Sequence, residues 1–286
     1  MVLCYVKPEP WVYDMQFTKM HGCGNDFVVI DAINQTLPAD MEAFCRHLGD
    51  RHFGVGCDQI LIVASSKIAD FQMLIFNGDG SKVEMCGNGI RCMARYVVDK
   101  GLTTKTKLDV ETLAGIIRPE IVGDLVRVDM GEPGLRTANW TWPDERVVAK
   151  PYTVGGHTIP ITLVSMGNPH CVSFHEELTD ELVLGIGPQI ENDRAHFPKR
   201  INVEFIHRVS ATELDMRVWE RGAGETLACG TGACASCVAA VLNGLTERKV
   251  TIHLTGGDLV LEWREADNHV YMTGPAATVF EGTLPA

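Results

Sequence analysis

Two short runs carry the chemistry that stands out in this chain. Cys86-Gly87-Asn88-Gly89 and Cys229-Gly230-Thr231-Gly232 each place a cysteine on a glycine-rich turn just before a run of helical character. Glycine adopts backbone angles closed to other residues, so consecutive amides in such a turn can converge on an anion where a helix begins. A cysteine there sits in positive backbone potential, which favours thiolate over thiol. Two such thiols facing each other have a narrower use than one. Inverting a stereocentre takes a base on one face of a carbon and an acid on the other, and two like groups in different protonation states serve both directions. On this reading the amides of Gly87, Asn88, Gly230 and Thr231 hold a substrate carboxylate and stabilise the charge that builds as the neighbouring carbon loses its proton. Donors of that kind are worth about 10²- to 10³-fold in rate apiece.

The two runs belong to a longer repeat. They are 143 residues apart (229 − 86 = 143), and at the same offset Gly24-Asn25 recurs as Gly167-Asn168, Gly101-Leu102-Thr103 as Gly244-Leu245-Thr246, and Gly131 as Gly274. Gln59 falls opposite Asn202, a carboxamide against a carboxamide, while Asn77 falls opposite Glu220. Several matches at one offset imply an ungapped duplication, with each half a domain of the same fold.

The elements that must position these residues follow the same order twice. In the first half, residues 27–31, 58–64 and 71–76 read as strands, and Asp40 is placed to cap a helix through Leu48. Residues 87–100 read as a helix with Ile90, Met93, Ala94 and Val97 on one face and Gly101 as its stop. Residues 107–112 and 125–130 read as further strands. The second half repeats this: strand 160–165, helix 179–184, strands 201–207 and 214–219, helix 230–243, then strands 250–255, 258–263 and 269–273. The helix after Cys229 is nearly all small residues (Ala233, Ala235, Ser236, Ala239, Ala240), which suits close packing on every side. The expected class is α/β, more closely α+β: two pseudo-symmetric domains, each a mostly antiparallel sheet wrapped around a central helix. The N-terminal domain is expected over residues 1–130 and the C-terminal domain over 131–275. Residues 1–14 are expected as a loose extension, 276–286 as a tail that can pack back on the first domain, and Trp140, Trp142, Pro143 and residues 152–156 as the connection between halves. Met15 is an alternative start to Met1.

The motifs resemble a known family. Phe17-Thr18-Lys19-Met20-His21-Gly22-Cys23-Gly24-Asn25-Asp26-Phe27, then Phe76-Asn77-Gly78-Asp79-Gly80-Ser81 and Met85-Cys86-Gly87-Asn88-Gly89-Ile90-Arg91-Cys92, are similar to the first half of diaminopimelate epimerases. Met166-Gly167-Asn168-Pro169-His170 and Glu220-Arg221-Gly222 through Gly232 are similar to the second. The resemblance implies a pyridoxal-independent enzyme that interconverts LL- and meso-2,6-diaminopimelate for lysine and cell-wall synthesis, usually as a homodimer. It implies Cys86 and Cys229 as the two bases. Asn25, Gln59, Asn77, Gly87, Asn88, Asn168, Asn202, Glu220, Arg221, Gly230 and Thr231 would bind substrate, and His170 with Glu220 would tune protonation. Arg221 suits a distal carboxylate as a fixed fork.

Composition narrows the partners. Hydrophobic residues are 45% and charged residues 22% of the 286, which marks a folded globular chain. A net charge of −12 lacks the basic footprint that nucleic acid or an anionic membrane surface requires, so neither is expected as a partner; the family resemblance implies a small amino-acid substrate. Ten cysteines without a signal-peptide pattern predict free thiols in the cytoplasm. Cys234 and Cys237 have metal-ligand or redox spacing, but they lie within a helix body and lack a second ligand pair, so no metal is expected. No lysine in a pyridoxal-type setting and no phosphate loop is present, and no cofactor is expected. A proline or hydroxyproline racemase would share the two-cysteine logic, but its substrate has no distal amino-acid group for Glu220-Arg221 to hold.

Overall fold

A computed structural model describes residues 14–142 and 146–285. The proposed extension through residue 13, and with it Cys4, lies outside the described residues, as does Pro143. The described residues form two sheets. The first contains β1 (Met15–Gly22), β2 (Asn25–Asp31), β3 (Gln59–Ala64), β4 (Phe71–Asn77), β5 (Lys82–Val83), β6 (Val110–Thr112) and β7 (Gly115–Ile117). The second contains β8 (Pro119–Val122), β9 (Leu125–Asp129), β10 (Lys150–Val154), β11 (His157–Ser165), β12 (Pro169–Phe174), β13 (Asn202–Arg208), β14 (Glu213–Glu220), β15 (Gly224–Thr226), β16 (Lys249–Leu254), β17 (Gly257–Trp263) and β18 (Val270–Pro275). The last strand, β19 (Ala277–Leu284), returns to the first sheet beside β1. Strand order is β19-β1-β2-β3-β4-β6-β7 in one sheet and β10-β11-β12-β13-β14-β16-β17-β18-β9-β8 in the other, with β5 on β4 and β15 on β14.

The duplication is visible in the pairing. Both sheets are antiparallel except where β2 meets β3, β4 meets β6, β12 meets β13 and β14 meets β16. Phe27 stands opposite Gln59 in the first parallel pair and His170 opposite Asn202 in the second, the same register displaced by the sequence offset. The hairpin turns before Asn25 and Asn168 both need a positive backbone angle, met by Gly24 (φ 82) and Gly167 (φ 93).

Each sheet covers a central helix. The helices are α1 (Met41–Gly49), α2 (Gly87–Asp99), α3 (Gly187–Glu191) and α4 (Gly230–Leu242). Asp40 accepts from the Ala43 N–H and caps α1 as its residue type predicts. Helix α2 packs Ile90, Met93, Ala94 and Val97 against Phe27, Leu61, Met73, Val126 and Val128. Helix α4 is buried from Gly232 through Ala240, because alanine, serine and cysteine let strands approach on every side. A leucine at Ala235 would overpack that wall at about 1–3 kcal/mol. On the outer sheet faces, Phe44 and Leu48 of α1 cover Ile30, Ile60 and Ile62, while Val183, Ile186 and Ile190 cover Phe205.

Three sequence expectations change. Residues 152–156 do not connect the halves: Tyr152 lies in β10, which forms a hairpin with β11. Its ring is buried with Trp140, and Trp142 lies against His196 at 4.6 Å, so this aromatic group fills the outer core of the second sheet. The helix near residue 180 is a π-helix over Glu181–Ile186 that runs into α3. The strand at 107–112 shortens to Val110–Thr112. Among the described residues no helix is long and apolar enough to cross a membrane.

Candidate active site

Both cysteines cap their helices. Cys86 precedes α2 and its Sγ accepts from the Gly89 N–H at 3.4 Å; Cys229 precedes α4 and its Sγ accepts from the Gly232 N–H at 3.4 Å. The two helix starts meet end to end. A Cβ added at Gly230 would lie 3.4 Å from Asn88 Oδ1 and 3.2 Å from Met272 Sδ, and one at Gly87 would lie 3.0 Å from Met272 Cε. Two sets of free N–H groups and two partial positive charges therefore converge on one cleft, of about 2050 Å³.

Most of the expected site residues line that cleft: Asn25, Gln59, Asn77, Cys86, Gly87, Asn88, Asn168, Glu220, Arg221, Cys229, Gly230 and Thr231. Their amides are held in set orientations. Asn25 Oδ1 faces Cys86 Sγ at 3.7 Å and accepts from Asn88 Nδ2 at 3.3 Å, while Asn25 Nδ2 donates to Asp58 Oδ2 at 2.9 Å. Gln59 Nε2 donates to Asn77 Oδ1 at 3.0 Å. In the second half Asn168 Nδ2 donates to Thr231 Oγ1 at 3.2 Å, and Thr231 Oγ1 lies 3.5 Å from Cys229 Sγ.

His170 and Asn202 stand one layer behind. His170 is fully buried; its Nε2 meets Asn168 Oδ1 at 3.0 Å and its Nδ1 meets Glu204 Oε1 at 2.7 Å. Asn202 Nδ2 donates to the Pro169 carbonyl at 3.0 Å, and its Oδ1 accepts the Arg221 N–H at 2.9 Å. The Glu220-Arg221-Gly222 turn is anchored from below by Glu191, which accepts from the Gly222 N–H at 2.7 Å, from Trp219 Nε1 at 2.8 Å and from the Arg200 guanidinium. Glu220 itself accepts from the Thr226 hydroxyl.

Burial opposes the helix N-termini at both thiols, and more strongly at Cys229. Burial pushes the Cys86 thiol up, against the opposing pull of the Gly89 and Asn88 N–H groups and Arg91. Cys229 is pushed well above the ordinary thiol value, by burial first and then by the Glu220 and Glu204 carboxyls. Burial also raises Glu220. The helix N-termini are present as expected, and desolvation, with neighbouring carboxyls at Cys229, acts against them.

Sequence reading passed over Asp58, Glu191 and Glu204. Glu204 had a signal: it is a lone acid inside the apolar run Ile201-Asn202-Val203-Glu204-Phe205-Ile206 and is fully buried. Asp58 and Glu191 had none, because their roles arise from tertiary contacts.

A duplicated fold with a capped cysteine in each half, both opening on one cleft, defines an isomerase of the racemase and epimerase class. Solved structures of that fold include a PhzF-family phenazine biosynthesis protein from Bacillus anthracis (TM-score 0.70, 15% identity, 96% of this chain and 100% of that one). A hydroxyproline epimerase from Agrobacterium vitis has TM-score 0.66 and 15% identity over 96% of this chain and 94% of that one. At sequence level the diaminopimelate epimerase family matches residues 17–135 and 162–279. The diaminopimelate epimerase of Moorella thermoacetica is 52% identical over 95% of this chain and 99% of its own, and that of Desulfitobacterium hafniense is 55% identical over 94% and 98%. The chain belongs to the diaminopimelate epimerase family.

Proposed function

We propose that this protein interconverts LL- and meso-2,6-diaminopimelate by a two-base mechanism with Cys86 and Cys229 as the acid–base pair and no cofactor. One thiolate takes the proton from the α-carbon while the opposing thiol delivers its proton to the other face, so one S–H forms as the other breaks. The amides of Gly87, Asn88, Gly230 and Thr231 hold the reacting carboxylate and stabilise the charge that develops beside it. Asn25, Gln59, Asn77, Asn168 and Asn202 orient substrate or the groups that touch it, and His170 with Glu220 tunes protonation. Arg221 pairs with the distal carboxylate.

The observation that carries this reading is the equivalent capping of Cys86 and Cys229 at helix starts that meet in one cleft. Glu220 and Arg221 favour diaminopimelate over a proline-like substrate, since they supply a distal recognition group that the first half, with Asn77, lacks. The reading extends to a cytoplasmic homodimer with its halves divided at residue 130; family resemblance, cysteine content and the sequence repeat support that extension. The test is turnover in D₂O. LL-diaminopimelate should yield the meso form with solvent deuterium at the inverted carbon; no interconversion and no exchange would sink the proposal.

A further inference from the structure

The two half-sites match in backbone and differ in what stands behind the thiol. Phe27 on β2 and Leu61 on β3 occupy the positions that His170 on β12 and Glu204 on β13 occupy in the second half. A Cβ built on Gly89 would meet Leu61 Cδ2 at 3.1 Å and Phe27 Cε1 at 3.4 Å, whereas one on Gly232 would meet Glu204 Oε1 at 2.6 Å. The wall behind Cys86 is therefore apolar. The wall behind Cys229 is a fully buried carboxyl–imidazole pair, with a ring nitrogen of His170, a carboxyl oxygen of Glu204 and Cys229 Sγ all within 4.8 Å of one another.

That pair is costly to bury, and the first half fills the same space with hydrocarbon. Glu204 Oε2 is buried without a hydrogen-bond partner among the described residues. A buried, half-satisfied carboxyl where leucine fits calls for a role other than packing.

We propose that Glu204 is a positioning residue for the second thiol: set against His170 and the first turn of α4, it keeps Cys229 protonated in the free enzyme and so assigns Cys86 as the resting base and Cys229 as the resting acid. The inference rests on the two-base reading above. Cys229 is faced by His170 from β12, Glu204 from β13 and Glu220 from β14, and α4 itself offers it only the Thr231 hydroxyl and the Gly232 N–H. Glu220 reaches Cys86 as well, but position 77 in the first half is asparagine, and α2 carries the fully buried Arg91, whose Nη1 donates to the Gly87 carbonyl at 3.4 Å. Carboxyls thus crowd one thiol and a guanidinium stands beside the other. In the resting form the α-proton passes to Cys86 Sγ and the Cys229 proton passes to the opposite face. The enzyme is left with its thiolate at Cys229, a state Glu204 disfavours, and the reverse reaction or proton exchange with water resets it.

The test reads each thiol without requiring turnover. Full-length protein is alkylated with iodoacetamide across a pH series, and Cys86 and Cys229 are quantified separately by mass spectrometry. Glu204→Gln keeps the shape and deletes the charge. Cys229 should then alkylate roughly tenfold faster at a fixed pH below its midpoint, with that midpoint moved down, while the Cys86 profile stays in place. The double variant Glu204→Leu with His170→Phe rebuilds the first half's wall behind Cys229 and should shift the profile in the same direction, which covers the case where the single variant misfolds. An unmoved or upward-shifted Cys229 profile, with or without loss of thermal stability, overturns the assignment, as does an equal shift at Cys86. Failure of the epimerase reading would show instead as wild-type protein that alkylates as described and does not interconvert diaminopimelate.

Discussion

Asp58 Oδ2 accepts from Asn25 Nδ2 at 2.9 Å, and this contact fixes which end of the Asn25 amide faces the first thiol. With its nitrogen held by Asp58, Asn25 presents Oδ1 to Cys86 Sγ at 3.7 Å and to Asn88 Nδ2 at 3.3 Å. Asp58 is in turn held by Arg51, whose Nη2 reaches it at 2.7 Å while both terminal nitrogens hold Asp26. A surface-side ion network therefore sets the orientation of an amide inside the cleft.

Asp58→Ala should lower kcat/KM for diaminopimelate about tenfold, since an amide free to rotate holds substrate and thiol in the wrong geometry part of the time. Asp58→Asn should recover part of the loss through its remaining carbonyl acceptor. Steady-state kinetics with a matched melting temperature checks this; wild-type kcat/KM in the alanine variant would remove Asp58 from the site.

Cys86→Ala and Cys229→Ala should each abolish epimerisation, with losses of at least the 10²- to 10⁴-fold that a positioned acid or base supplies. Both residues cap helices through an N–H···S contact and each sulfur makes one further weak polar contact, to Asn25 Oδ1 or Thr231 Oγ1, so alanine removes only weak bonds and the fold should persist by circular dichroism. Full activity in either variant would refute the two-base assignment.

Glu191→Ala should weaken substrate binding without touching the chemistry. Glu191 is 4% exposed and gathers Gly222, Trp219 and Arg200 beneath the Glu220-Arg221 turn. Its loss leaves two N–H groups and a half-buried guanidinium unpaired, at about 1–3 kcal/mol. KM should rise more than kcat falls, and the urea midpoint should drop. A kcat-only effect would place Glu191 elsewhere in the mechanism.

The paired thiols were legible in the sequence because duplication writes the same residues twice, and with no net insertion between the matched positions every pair falls at one offset of 143. Helices α2 and α4 followed from their glycine turns, and α4's burial followed from its alanines. The Asn168–His170–Glu204 chain was not legible as a unit. It crosses from β12 to β13, and the register of a parallel pair separated by a π-helix and a loop is set by tertiary packing rather than by neighbours in sequence. Tyr152 and Trp140 read as linker for a related reason: aromatic residues among prolines resemble a loop until the outer core they fill is seen. What opposes the helix terminus at Cys229 was not legible, because the terminus is written in local sequence while the Glu204 and Glu220 carboxyls come from β13 and β14 and the burial from the folded core.

Acid should loosen the first half through Asp26. Burial pushes this carboxyl up, but hydrogen bonds from Arg51 and Lys19 overcome that and hold it at about 2. A folded-state value below the unfolded one contributes stability above about pH 4 that is lost as pH falls toward 2. Asp26→Asn should lower stability at pH 7 and flatten its decline between pH 4 and pH 2, measured by urea unfolding. An unchanged acid slope would show that Asp26 is not the group responsible.

Gly89→Ala and Gly232→Ala form the sharpest comparison the repeat allows. Both glycines are the third residue of their helix and donate the N–H that meets the capping sulfur. Alanine is favoured over glycine in a helix by about 1 kcal/mol, so on propensity alone both changes would stabilise. The surroundings decide otherwise, and unequally. At 89 the added methyl meets Leu61 Cδ2 at 3.1 Å, Cys86 Cβ at 3.3 Å and Phe27 Cε1 at 3.4 Å, and the leucine branch can yield by a few tenths of an ångström. At 232 it meets Glu204 Oε1 at 2.6 Å with Met216 Cε at 3.1 Å and Cys229 Cβ at 3.2 Å. Glu204 cannot retreat without breaking its 2.7 Å contact to His170 in a fully buried wall. Gly232→Ala should therefore cost about 1–3 kcal/mol and most of kcat, while Gly89→Ala stays within about 1 kcal/mol of wild type in either direction. Urea unfolding and kcat measured on the two variants side by side decide it; equal losses at both positions would mean that the wall behind Cys229 is no more rigid than the one behind Cys86.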